Sequence, residues 1–304
     1  MKIERIRLGL LVFLAVIAFN ISTYWTLAQD AAQSKEPIAV LLAKANAGDA
    51  ESQLLVAYAY ESGQGVPQDY AQAAVWYRKA AEQGILEAQA RLGSLYFIGK
   101  GVPKDYSLAA DWLGKAAEKG DAKSQWNLGY LYEHGKGVAE DYSKAATWYQ
   151  NAAEQGDVAG QLCLAFLYSN GRGVPQDWAR AAVWFRRAAE QGDSDAQFNL
   201  AGLYDQGLGV TKDYAQEAAW LRKAAEQNHA EAQYLLGLSY MTGRGVTRDF
   251  AEAYFWLDLA ASSKTHRPDE VAKDRDDAAS HLSSARLLQT QERARKWFEE
   301  HSTK

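Results

Sequence analysis

The sequence predicts an all-α fold: a right-handed α/α superhelix (solenoid) of six 36-residue helix-turn-helix repeats, with N- and C-terminal capping helices. Two observations carry that prediction. An octapeptide returns without insertion or deletion: GQGVPQDY from 63, GKGVPKDY from 99, GKGVAEDY from 135, GRGVPQDW from 171, GLGVTKDY from 207 and GRGVTRDF from 243. Three columns keep the same step: Gln53, Gln89, Gln125, Gln161, Gln197, Gln233; Tyr60, Tyr96, Tyr132, Tyr168, Tyr204, Tyr240; and Trp76, Trp112, Trp148, Trp184, Trp220, Trp256. A strict period of this length is the mark of an array whose units bury their apolar faces only against their neighbours.

In chain order, residues 1–28 read as a signal peptide or an N-terminal membrane anchor. Lys2, Arg5 and Arg7 precede an apolar run from Leu8 to Phe19, and Ala28 offers a small residue at a cleavage edge. That run is shorter than the about 20 residues of a membrane span, so cleavage is the first reading. The uncharged NISTYWTLA that follows, with Tyr24 and Trp25, keeps membrane attachment through residues 8–28 as the alternative. Either way the remainder is expected to be exported, periplasmic or secreted. Residues 29–48 read as a linker and a capping helix, because Gly48 stands one period before Gly84.

Six repeats follow, 49–84, 85–120, 121–156, 157–192, 193–228 and 229–264. Ahead of the glycine pair, Gln89, Leu92, Gly93 and Tyr96 sit at i, i+3, i+4 and i+7, one face of a helix (helix A). Behind it, Ala73, Trp76, Tyr77 and Ala80 repeat the spacing (helix B). Gly63 is placed to end helix A and Asp69 to cap helix B, with Gln72, Gln216 and Glu252 spaced to complete a capping box. The column Ala57, Gly93, Gly129, Ala165, Ala201, Gly237 holds only small residues, which lets helix B lie close to the backbone of helix A. Residues 265–304 read as two amphipathic capping helices, with Leu287, Leu288 and Trp297 covering the open end.

Composition narrows the function. With 33 Lys and Arg against 38 Asp and Glu there is no broad basic footprint, so nucleic acid is not expected as a partner. The single cysteine, Cys163, allows neither an intramolecular disulfide nor a Cys-based zinc site. The five histidines lack metal-ligand spacing, and no nucleophile, base and orienting group form a set. No enzyme, metal or cofactor is therefore expected. The glycine octapeptide lacks the third glycine and the preceding strand of a dinucleotide loop, so it reads as a turn.

The columns A-x-x-Q, L-G-x-x-Y, G-x-G-V-x-x-D-Y, A-x-x-W and A-A-E-x-G at this period resemble the SEL-one-like repeat (SLR) family, relatives of the tetratricopeptide repeat. The C-terminal DRDDAASHLSSARLLQTQERARKWF also looks like the tail that often follows SLR arrays. The resemblance implies a bacterial exported adaptor that binds a protein or peptide on its concave face. A cysteine-rich branch of the family is linked to β-lactam binding or hydrolysis, the basis of an alternative reading as a protein acting on peptidoglycan or β-lactams. The single cysteine and the absence of S-x-x-K depart from that branch.

Binding residues are then sought where the repeats disagree, on the helix A face away from the core columns. One such column reads Leu55, Arg91, Asn127, Cys163, Asn199, Leu235, and another Tyr58, Ser94, Tyr130, Phe166, Gly202, Leu238. By resemblance to tetratricopeptide-type repeats, Asn127 and Asn199, just before the leucine-small pair, match a groove asparagine facing a peptide. Arg91 is the expected charge reader, and Tyr58 and Tyr130 the expected rigid contact surfaces.

Overall fold

The computed structural model describes residues 37–263 and 267–301, so the signal or anchor at 1–28 lies outside the described residues. The described residues form fifteen helices and no strand. A lone helix, Ile38–Asn46, is followed by A helices Ala50–Ser62, Leu86–Ile98, Ala122–Glu133, Val158–Asn170, Ser194–Gln206 and Ala230–Thr242. They alternate with B helices Tyr70–Glu82, Tyr106–Glu118, Tyr142–Glu154, Trp178–Glu190, Tyr214–Glu226 and Phe250–Ser262, and Pro268–Ser280 and Ser284–His301 close the chain. None of these helices is long and apolar enough to cross a membrane. The chain divides into two compact units, Met1–Gly160 and Gln161–Lys304.

Capping chemistry sets the helix ends, with one change from expectation. Asp69, Asp105, Asp141, Asp177, Asp213 and Asp249 each accept a backbone N–H in the first turn of helix B. The capping box, however, is not closed by Gln72, Gln216 or Glu252. The N–H of the capping Asp donates instead to a helix A carbonyl, that of Tyr60, Tyr204 or Tyr240, at 2.8, 3.1 and 3.0 Å. The same link from Asp to Tyr holds at Tyr96, Tyr132 and Tyr168. The chain is thus tied across the base of the glycine loop, and the side chain three residues on is released for other contacts.

The glycine pair has two separate jobs. Gly63, Gly99, Gly207 and Gly243 end their A helices in the left-handed conformation. The second glycine, also at positive φ, lies against the preceding repeat: a Cβ on Gly101, Gly137, Gly209 or Gly245 would fall inside the backbone of Tyr70, Tyr106, Trp178 or Tyr214. The residue between the glycines joins the same contact. Lys100 stands 3.8 Å from the Tyr70 ring centroid, Lys136 5.4 Å from Tyr106, and the Arg244 guanidinium 4.5 Å from Tyr214.

Inside each repeat the small column works as its spacing predicts. A Cβ on Gly93, Gly129 or Gly237 would come within 2.7 Å of the Leu113, Tyr149 or Leu257 side chain, so these helix pairs close over a backbone surface. The Trp column is core at Trp76, Trp220 and Trp256 and half-buried at Trp112, Trp148 and Trp184. Lys79, Lys115, Arg187 and Lys223 cover the Trp76, Trp112, Trp184 and Trp220 rings from i+3, at 3.7 to 4.5 Å.

The glutamine column joins one repeat to the next. The side-chain amides of Gln53, Gln89, Gln125, Gln197 and Gln233 donate to the carbonyls of Ala45, Ala81, Ala117, Ala189 and Ala225, at 3.0 to 3.1 Å. Each alanine lies in the last turn of the preceding helix, where carbonyls lack intrahelical partners. The glutamine oxygen is satisfied in turn by a glutamine at the end of helix B: Gln83 on Gln53, Gln155 on Gln125, Gln191 on Gln161 and Gln227 on Gln197. Lys119 and Ser263 occupy that position in the second and sixth repeats, and the oxygens of Gln89 and Gln233 are left buried without a hydrogen-bond partner.

Replacing Lys119 by Gln should therefore raise stability by about 1 kcal/mol. Lys119 Nζ now donates to the Gly84 carbonyl at 2.7 Å, and Gln83 shows that one amide can serve both acceptors, reaching Gly48 O at 3.0 Å and Gln53 Oε1 at 2.8 Å. Urea denaturation of the K119Q protein checks this, and an unchanged or lower midpoint would contradict it.

The tyrosine column carries a pairing that spacing alone did not expose. Tyr96, Tyr204 and Tyr240 receive hydrogen bonds from Arg78, Arg186 and Arg222 of the preceding helix B. That column holds Gly114 and Gln150 in the second and third repeats. Tyr132 and Tyr168 take their cation from their own repeat instead, with Lys144 Nζ 5.2 Å and the Arg180 guanidinium 5.5 Å from the ring centroids.

At the C-terminal end the expected apolar cap is corrected. Leu288 is 58% exposed, so it covers nothing, and Leu287 and Trp297 are half-buried. The last helix packs through Thr290 and Ala294, one turn apart and buried. Polar contacts fix it: Gln291 donates to the Tyr254 hydroxyl at 3.1 Å, and Arg293 grips Glu252 with both terminal nitrogens, at 2.5 and 2.9 Å. A seam of small side chains lets this helix lie close, and Leu288 is turned outward.

Candidate partner-binding face

The variable A-helix columns hold paired rather than free groups. In the first unit Arg91 has a side chain 13% exposed, ion-paired to Glu87 at 3.0 Å and Glu61 at 3.3 Å, with its guanidinium 5.2 Å from the Tyr58 ring centroid. It is a neutralised cation at the edge of the core rather than an open charge reader. Tyr58 is only 7% exposed and packs edge-on against Tyr77 at 5.7 Å, so it offers no contact surface to a partner. The reason is positional: the Tyr58 column leans over the large helix B residue at 77. Burial first, then the Glu87 charge, drives the Tyr58 hydroxyl well above the usual phenol range. Tyr77 donates to Glu61, which links the core to this charged group.

The next turn continues the alternation of charge. Lys123 has its ammonium pushed down to about 8, first by burial and then by the positive charge of Arg91. Asp157 is pushed up by burial, partly offset by the Gly160 N–H that it accepts at 2.6 Å and by Lys123. Asn127 is 6% exposed, and its amide donates to the Lys123 carbonyl of its own helix at 2.9 Å. Tyr130 is half-buried and held firmly: stacked on His134 at 4.1 Å, flanked by Phe97 at 5.7 Å, and accepting from Lys136 Nζ at 2.9 Å.

In the second unit Asn199 is half-buried and donates to the Asp195 carbonyl at 2.7 Å. Asn127 and Asn199 therefore both turn an amide N–H back onto their own helix. Beside Asn199, Phe198 stacks on His229 at 4.5 Å. His229 Nδ1 accepts the Ala232 N–H at 3.1 Å, and its Nε2 lies 3.4 Å from Asp195. Sequence reasoning missed this histidine as a cap, although it stands where Asp49, Asp121 and Asp193 cap other A helices.

The structure thus gathers Tyr58 and Arg91 into one charged cluster, places Asn127 and Tyr130 on the neighbouring A helix, and sets Asn199 in the other unit. The surface offers half-buried hydrogen-bonding and aromatic groups in fixed positions. Among the described residues no three His, Cys, Asp or Glu side chains come together as metal ligands.

A Sel1 repeat protein from Oxalobacter formigenes, known from its crystal structure, is 32% identical over 82% of this chain and 74% of its own, with a TM-score of 0.66. The c5321 protein, a protective antigen present in uropathogenic Escherichia coli strains and displaying an SLR fold, is 26% identical over 88% of this chain and 95% of its own, with a TM-score of 0.33. Helicobacter pylori cysteine rich protein B is 27% identical over 40% of this chain and 91% of its own, with a TM-score of 0.33. No curated protein matches the chain. The Sel1 repeat family model matches residues 50–85, 86–121, 122–157, 159–193, 194–229 and 230–264. With six consecutive matches over most of its length and a fold of paired helices to agree with them, the chain belongs to the Sel1 repeat family.

Proposed function

We propose that the chain is a non-catalytic, exported adaptor of the bacterial envelope that holds a protein or peptide partner against its A-helix face. Sel1 repeat proteins are typically protein–protein interaction scaffolds. The observation that carries the finer reading is the division of labour between columns. The Gln, Gly, Tyr, Trp and Asp columns spend their chemistry on capping, close packing and the joints between repeats. The A-helix columns that change from repeat to repeat are claimed by packing only in places, as at Tyr58 on Tyr77, and their half-buried, immobilised groups such as Tyr130 and Asn199 are the kind that lose little entropy when a partner docks. Export rests on the basic end and apolar run of residues 1–28.

The test is crosslinking and pull-down from the native envelope with Tyr130→Ala, Asn199→Ala and the double variant. The double variant should keep its helicity and a cooperative, modestly lowered melting transition while losing a partner that the unaltered chain captures. A partner list unchanged by the double substitution places the interface elsewhere. Arg91 is a poor first choice for the same experiment, because its removal strands Glu61 and Glu87 and lowers stability as well as binding.

A further inference from the structure

The second unit divides its charge unequally between its helices. Its A-helix segments, 161–170, 193–206 and 229–242, hold Asp193, Asp195, Asp205 and Glu231 and no lysine or arginine. The loops and B helices that alternate with them, 171–192, 207–228 and 243–264, carry ten lysines and arginines against eight acidic residues. Asp205 is paired with Arg244, and Asp193 caps its helix by accepting the Ala196 N–H. Asp195 keeps 46% of its side chain exposed, with its carboxylate facing His229 Nε2 at 3.4 Å.

Asn199 and Gly202 follow Asp195 at i+4 and i+7, on the same stripe of helix A. The Asn199 amide donates to the Asp195 carbonyl, and its oxygen accepts no hydrogen bond among the described residues. Gly202 is a helix-interior glycine that the fold itself does not require. Glycine weakens a helix, and at Gly93, Gly129 and Gly237 that weakness has a packing reason, because helix B presses on the bare backbone. A Cβ on Gly202 would meet nothing within 4 Å, and its φ is not positive. Its counterparts one repeat before and after are Phe166 and Leu238, both half-buried. Gly202 is therefore a gap in a column of large apolar side chains, where a foreign backbone can approach the helix closely.

We propose that this stripe docks an extended, basic segment of a partner protein, with a lysine or arginine on Asp195 and the segment's backbone crossing Gly202. Helix residues seven apart lie about 10 Å from each other along the axis, which an extended chain covers in about three residues. Between the two points a peptide N–H can donate to the Asn199 oxygen, and apolar side chains flanking the basic one rest on Phe166 and Leu238. An acidic segment is disfavoured by the same charges, since it would meet Asp195 and Glu231 with no cation supplied by any A helix of the unit. Docking of this kind presupposes that the A-helix face is the partner surface, and it adds the chemistry of the partner.

Isothermal titration of the full chain with N-acetyl-Leu-Arg-Leu-Arg-Leu-amide and with its Leu-Glu-Leu-Glu-Leu counterpart tests the proposal. The basic peptide should bind and the acidic one should not. Asp195→Asn should weaken the basic peptide about tenfold. Gly202→Leu should weaken it by about tenfold or more while raising the melting temperature, because leucine favours the helix and fills only the docking gap. Glu190→Gln removes the same charge from an exposed place on helix B and should leave the affinity unchanged. Equal binding of the two peptides, no heat from the basic peptide at millimolar concentration, equal losses in D195N and E190Q, or full binding by G202L would each overturn it. A G202L protein that melts below the parent would give the glycine a packing role and overturn it too. Should the Tyr130→Ala, Asn199→Ala protein lose an envelope partner while the basic peptide fails to bind, the adaptor reading stands and the basic partner falls.

Discussion

Gly137→Ala should lower the stability of the chain by about 2–4 kcal/mol, whereas Gly120→Ala should lower it by only about 1 kcal/mol. Both glycines have positive φ, +70° and +93°, so both substitutions carry the strain of a left-handed alanine. They differ in their surroundings. A Cβ on Gly120 meets nothing within 4 Å, while a Cβ on Gly137 enters the backbone at Tyr106 and Ser107. Backbone cannot rotate aside as a side chain can, so the joint between the second and third repeats must open. Ser107 Oγ, which donates to the Gly137 carbonyl at 3.0 Å, would lose its acceptor geometry with it. Chemical denaturation of the two variants side by side separates the strain they share from the overlap only one suffers. Equal losses would mean that the loop can retreat from its neighbour without cost.

Arg244→Met should cost about 2–3 kcal/mol at neutral pH, with the loss shrinking on acidification. Arg244 reaches Glu217 at 2.5 Å and Asp205 at 3.0 Å, and the Glu217 side chain is only 6% exposed. Burial raises the Glu217 carboxyl above its ordinary range, and Arg244 opposes that rise. Removing the arginine raises it further. A carboxyl with a raised folded pKa favours folding while protonated, and that contribution is lost as pH rises through the ordinary carboxylate range toward the folded pKa. The R244M protein should therefore approach the parent in stability near pH 4 and fall away from it by pH 7. A gap between the two that does not change with pH would show that Arg244 acts through its packing on Tyr214 instead.

The period, the two helices of each repeat and their caps were legible because each rests on short-range chemistry: a glycine that stops a helix, an aspartate that starts one, apolar residues at helical spacing. The glutamine column was visible as a repeated letter, but its work was not. Gln89 bonds to Ala81, eight residues back in another helix, and spacing within one helix says nothing about which carbonyl lies across a joint. The candidate face was legible only as a set of positions. Tyr58 and Tyr130 share a column, yet Tyr58 is buried on Tyr77 and Tyr130 is half-buried on His134, because the neighbours that decide the difference come from other helices. Arg91 likewise read as an available charge until Glu61, thirty positions away, was placed beside it.

The tyrosine pairing makes the second, fifth and sixth repeats depend on who stands before them. Excising the third repeat would put Gly114 ahead of Tyr168, which has its own Arg180, and excising the fifth would put Arg186 ahead of Tyr240, which lacks one. Either way each of the remaining rings from Tyr96 onward keeps a single cation. Losing the second would crowd Tyr132 with both Arg78 and Lys144, and losing the fourth would leave Tyr204 with neither. The repeats share one length and one outline, but a gene shortened or lengthened by unequal exchange would not find all of its copies interchangeable.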